Sequence, residues 1–155
     1  MFFSPFIFLA ELTLITPTPI CYTAKNNGFA SFNVTHTGKI KYLKLVHVSG
    51  GTVCTGNHIF TKWGCPYGNY QVNDIFVVTT NEANQIIFPT VSHTNTLIRM
   101  EEAHRDANEL IQRPDFPVDV QENQKFRIWY TEDLYNYAES NNYGTHCVRV
   151  YARYC

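Results

Sequence analysis

"KFRIWYTEDLYNYAESNNYGTHCVRVYARYC" closes the chain, from Lys125 to Cys155, and its two ends decide the fold. "KFRIWYTE" (Lys125 to Glu132) and "THCVRVYARY" (Thr145 to Tyr154) are rich in aromatic and β-branched residues and read as strong strands. Between them "TEDLYNYAESNNYG" is too long for a two-residue hairpin turn, so it predicts an excursion from a rigid scaffold.

Moving outward, "FASFNVTH" (Phe29 to His36) and "KYLKLVHV" (Lys41 to Val48) alternate with period two around the turn "TGKI" and predict an antiparallel pair. In the second of these, Leu43 and Leu45 mark the core face, with His47 at its edge. "YQVNDIFVVTTN" (Tyr70 to Asn81) is almost continuously apolar at its centre and reads as one central strand buried on both faces. "QIIFPTV" follows, where Pro89 lacks an N–H and confines the strand to an edge or ends it early. "MEEAHRDANELI" places Met100, Ala103, Ala107, Leu110 and Ile111 on one helical face, while Pro114 and Pro117 just beyond demand extended backbone. The expectation is a short helix or turn near Glu101 to Asp106, then a strand. About eight strands with polar turns give an all-β fold, an antiparallel β-sandwich of jelly-roll-like or galactose-binding-like form with at most one short helix. Phe29, Phe32, Phe76, Phe88, Phe126, Ile128 and Trp129 can supply its core.

At 155 residues the chain suits one domain, over 21–155, preceded by a segment over 1–20. That segment, "MFFSPFIFLAELTLITPTPI", has the outline of a secretory signal, although no basic residue precedes the apolar run and Pro5 and Glu11 interrupt it. A buried N-terminal strand is the other reading. The segment is too short and interrupted for a transmembrane helix, so no membrane insertion beyond a signal is expected. Twelve basic against 13 acidic residues give a net charge of -1, which supplies no field for a phosphate backbone and excludes nucleic acid as the main partner. Low charge and 15% aromatics suit a secreted, extracellular domain, in which the "NVT" sequon would make Asn33 a glycosylation acceptor.

Five cysteines, Cys21, Cys54, Cys65, Cys147 and Cys155, show no C-x-x-C spacing. Cys147 and Cys155 end one strand about 26 Å apart at ~3.3 Å per residue, whereas a bridge needs Cα atoms within about 7 Å. The pairs expected are Cys54 with Cys65 and Cys21 with Cys155, leaving Cys147 odd; all five reduced and buried is the alternative.

No nucleophile elbow, phosphate loop or zinc-protease motif occurs, and His146 and Cys147, as strand neighbours, face opposite ways, so no enzyme is expected. The excursion carries more. Asp133, Glu139 and Asn142 offer hard oxygens of the kind calcium prefers, making Ca2+ the expected cofactor. With Asn141 these groups can also bond sugar hydroxyls, beside Tyr135 and Tyr137 as stacking surfaces, so an extracellular glycan or protein is the expected partner. Against this, "NNYG" with Gly144 at positive φ is ordinary turn chemistry, and tyrosines often pack a loop onto its scaffold.

The same stretch resembles a secreted β-sandwich module recurrent in proteins of cnidarians and other marine invertebrates, with the pattern R-x-W-Y-x-E-D-L followed by G-x-x-C-x-x-V-Y. Arg127, Trp129, Tyr130, Glu132, Asp133, Leu134, Glu139, Gly144, Cys147, Val150 and Tyr151 carry it here. The resemblance implies lectin-like or adhesive duties at the cell exterior. Ser140 and Asn141 depart from it, removing one carboxylate that its loop usually bears. The rival expectation is a matrix or interaction protein that works by protein–protein packing, its odd cysteine bridging two chains into an oligomer.

Overall fold

A computed structural model describes residues 12–56, 58–92 and 95–155. The elements in chain order are β1 (Leu12–Leu14), β2 (Ile20–Thr23), β3 (Ala30–Asn33), β4 (Gly38–Gly50), β5 (Asp74–Ile75), β6 (Val77–Asn81), β7 (Ile86–Phe88), β8 (Ile98–Arg99), β9 (Glu109–Gln112), β10 (Val118–Val120), β11 (Lys125–Tyr130), a helical turn α1 (Thr131–Leu134), a 3-10 turn over Glu139–Asn141, and β12 (Thr145–Tyr154). This is the antiparallel β-sandwich that the alternation predicts. One sheet runs β1-β12-β4-β10, with β2 on β12 and β9 on β4; the other runs β3-β11-β6-β7, and β5 and β8 form a separate pair.

The long strands β4 and β12 pair over most of their length, Leu43 opposite Ala152 and Leu45 opposite Val150. All four are fully buried, as the alternation of "KYLKLVHV" requires. Facing them from β11 are Phe126, Ile128 and Tyr130, so the core lies between the two sheets. Polar groups that enter it are paired. Buried Gln112 accepts from Thr79 Oγ1 and donates to the Val77 carbonyl, joining β9 of one sheet to β6 of the other.

Three sequence expectations need correction. "YQVNDIFVVTTN" is not one strand: it breaks at Phe76, whose N–H donates to the Trp63 carbonyl and whose carbonyl accepts from Thr131 N–H. Continuous apolar residues mark burial here, not continuous pairing. The expected pairing of "FASFNVTH" with "KYLKLVHV" does not form: β3 pairs with β11 in one sheet and β4 with β12, β9 and β10 in the other, whereas the turn and strand expected after Met100 are present as turns and then β9. Phe29 and Trp129 stack on the far side of β11 beside Arg127, whose guanidinium lies over the Phe29 ring at 4.5 Å, and so do not fill the core between the sheets.

The disulfides are Cys21–Cys147 and Cys54–Cys65. The expected Cys21–Cys155 bridge does not form. β2 pairs with β12 in a register that sets Cys21 directly opposite Cys147, with Cα atoms 4.0 Å apart, and Cys155 ends the far side of the same strand, free and exposed. The expected leader over 1–20 falls partly outside the described residues; Leu12–Leu14 pairs with β12, Leu12 opposite Arg153. Asn33, the sequon residue, is exposed at the end of β3.

Candidate functional site

The excursion after β11 begins as backbone geometry. Tyr130, in extended conformation, precedes α1, and Tyr135 N–H closes the turn onto the Thr131 carbonyl. Ala138 then takes a left-handed φ of 51°, turning the chain into the short 3-10 segment. The disulfide-closed loop Cys54–Cys65 lies against this excursion: Val53 and Tyr143 exchange backbone hydrogen bonds, and the Tyr143 hydroxyl is 2.6 Å from His58 Nδ1. Trp63 is fully buried, donating its indole N–H to the Ala107 carbonyl, and so closes this end of the sandwich.

Of the expected polar anchors, Asp133 is 1% exposed and its two oxygens accept from the backbone N–H groups of Asn27 (2.9 Å) and Gly28 (2.8 Å). It therefore ties the β2–β3 turn to α1. Asn142, also buried, donates to the Ala24 carbonyl and to Glu132 Oε1, while its own Oδ1 has no partner. Glu139 Oε2 is likewise buried and unpartnered. The carboxyl of Glu139 is pushed up by burial, then by a hydrogen bond to Asp133 and by that residue's charge. Burial raises Glu132 to about 7, Asn142 acting against the shift and Glu139 with it. The sequence marks Glu132 only as part of the closing pattern beside Asp133 and gives no sign that it joins this cluster. Asn141 stays exposed.

Among the described residues no three His, Cys, Asp or Glu side chains converge as a metal cage. The donor chemistry nonetheless suits a hard cation. Two buried acceptors lack any donor, and the charge of Asp133 raises Glu139 as that of Glu139 raises Glu132, effects that a positive charge beside them would relieve.

Beside this cluster Tyr135, half-buried, and Tyr137, 60% exposed, line a cavity of about 500 Å³ with Tyr70, Asn95, Thr96 and Leu97. Its wall is fixed by the Thr131 hydroxyl bonded to the Thr96 carbonyl and by Tyr137 N–H on the Glu132 carbonyl. Tyr70 comes from the segment after Cys65 and was not singled out from sequence; its phenol is raised by burial and then by the Glu132 charge, which places the acid cluster and the tyrosine cavity side by side. Three tyrosines with an amide and a hydroxyl residue in the lining give the cavity both apolar and hydrogen-bonding surface.

No family model matches the chain, and no curated protein matches it. Among solved structures the chain is similar to AJLec from the sea anemone Anthopleura japonica, with a TM-score of 0.86 and 25% identity over 94% of this chain and 98% of that one. That neighbour comes from a cnidarian, the animal group to which the resemblance in the closing stretch points, and it shares this fold along nearly its whole length.

Proposed function

We propose that this protein is a secreted, lectin-like binding module whose sugar seat is the Tyr70, Tyr135 and Tyr137 cavity. The observation that carries it is the convergence of three tyrosines and the Asn95 and Thr96 edge on one cavity, beside a cluster of acids and amides. The neighbour's name, AJLec, carries the abbreviation for lectin and supports the same class of ligand. A binding protein needs no reacting groups, and this reading assigns none. Two disulfides in a small domain suit an oxidising, extracellular setting.

Calcium dependence belongs to the same reading. Glu139 and Asn142 would hold the ion with their unpartnered oxygens, Asp133 standing behind Glu139, and backbone carbonyls and water would complete the six to eight positions that calcium takes. Bound calcium would supply fixed positive charge to this cluster of acids.

A glycan array probed in millimolar calcium and again in chelator tests this. The expectation is binding to a discrete glycan class, weakened at least about tenfold (1.4 kcal/mol) by chelator and by Tyr135→Ala or Tyr137→Ala without loss of folding. An array silent in both conditions would remove the sugar, and binding equal in both would remove the ion. A silent array together with a disulfide-linked species on a non-reducing gel would favour the rival module that works by protein packing, for which the free, exposed Cys155 is the supporting observation.

A further inference from the structure

A second concave surface lies away from the tyrosine cavity, along the outer edge of β9. The register of β4 and β9 places Leu43 opposite Gln112 and Leu45 opposite Leu110, and His47 N–H donates to the Asn108 carbonyl. In an antiparallel ladder the bonded pairs alternate, so Leu110 and Gln112 turn their backbone groups to β4, and Glu109 and Ile111 turn theirs outward. Among the described residues no strand pairs with that outer side. Such an edge is a template for another strand.

The side chains fit the same reading. Leu110 and Gln112 enter the core, whereas Glu109, Ile111 and Arg113 line a cavity of about 690 Å³ whose floor continues through Met100, Ala103 and Ala107. Glu101 and Glu102 stand exposed on its rim. Glu109 meets Lys44 at 3.0 Å, and Arg113 lies over the Tyr42 ring at 4.6 Å, so the cations near the groove are already engaged. Just past the strand, Phe116 is 81% exposed between Pro114 and Pro117, an aromatic anchor with nothing packed over it.

We infer that β9 is a docking edge for an extended segment of a partner protein that alternates apolar and basic residues. Backbone bonds to Glu109 and Ile111 add it as a further strand, its apolar side chains enter the Met100, Ala103 and Ile111 floor, and its basic side chains meet Glu101 and Glu102. A second copy of this chain is the rival occupant, and the sedimentation of the free protein separates it.

The test titrates the isotope-labelled full chain with a short acetylated peptide of alternating valine and lysine. The expected result is amide shifts and slowed exchange at Glu109 and Ile111, with affinity falling at least about tenfold in the double variant E101Q/E102Q, in which two charges of the rim are removed. A peptide with glutamate in place of lysine should leave the spectrum unchanged. Shifts absent from β9, equal binding of the two peptides, or a free protein that sediments as a dimer with those amides already protected would each overturn the inference. Because the groove is separate from the tyrosine cavity, failure here leaves the sugar reading untouched.

Discussion

His146 carries no exposed surface, yet both its ring nitrogens are engaged: Nδ1 lies 2.7 Å from the Tyr22 hydroxyl and Nε2 lies 2.8 Å from His47 Nδ1. Burial, then the neighbouring His47 and Lys62, lower its pKa from 6.5 to about 3. Folded His146 thus stays neutral while the unfolded chain takes up a proton, so its contribution is present above about pH 6.5 and is lost as pH falls toward 3. Glu132 has the opposite sign. Its folded pKa of about 7 against 4.5 means that the unfolded chain ionises first, so stability is lost as pH rises from 4.5 to 7. In the native protein the two slopes offset one another between these limits. The variant Glu132→Gln should therefore lose stability on acidification from pH 6.5 to 4.5 more steeply than the parent, by up to about 1.4 kcal/mol per pH unit, as followed by chemical denaturation. Parallel curves would show that Glu132 titrates normally. Neither residue's role is legible in sequence. His47 does mark the edge of the core face, but its partner lies 99 positions away and only the β4–β12 register joins them.

At the scale of elements, the excursion between β11 and β12 holds its shape through Asp133, and this bears on how the site is built. Both oxygens of Asp133 accept backbone N–H groups of the β2–β3 turn, so its carboxylate serves as a structural tie whether or not a remaining lone pair meets a cation. Asp133→Asn should accordingly cost about 2 kcal/mol in thermal melts run in chelator, since a buried charge-assisted acceptor is lost. A loss seen only when calcium is present would make Asp133 a ligand rather than a tie. The strands on either side of the excursion were readable from their alternation, because each buries one face and exposes the other. Less readable were the segments where burial and pairing part company. "IFVV" is apolar and buried throughout, yet it breaks at Phe76, which donates its N–H to the Trp63 carbonyl and accepts from Thr131 N–H. "NELIQ" carries helical spacing, yet its Leu110 and Gln112 enter the sandwich as strand residues. Local propensity was overridden in both by partners distant in sequence.

For the whole molecule, two sheets, two disulfides and a strand β12 that pairs with β1, β2 and β4 make a frame with the candidate site carried outside the sheets. The class of fold and the loop that carries the candidate site follow from strand pattern and loop length. Tyr70 and the Asn95–Leu97 wall do not, because the chain returns to the excursion only through the path set by β5 and β8. The pairing of Cys21 was open for the same reason: a single strand separates Cys147 from Cys155, and only the register of β2 chooses between them. The proposed sugar seat, the three-tyrosine cavity, is open to amide-shift mapping of the labelled protein with an array-selected glycan in calcium. Shifts concentrated at Tyr70, Asn95 to Leu97 and Tyr135 to Tyr137 are expected, and a glycan that shifts residues elsewhere while leaving these unmoved would rule that seat out.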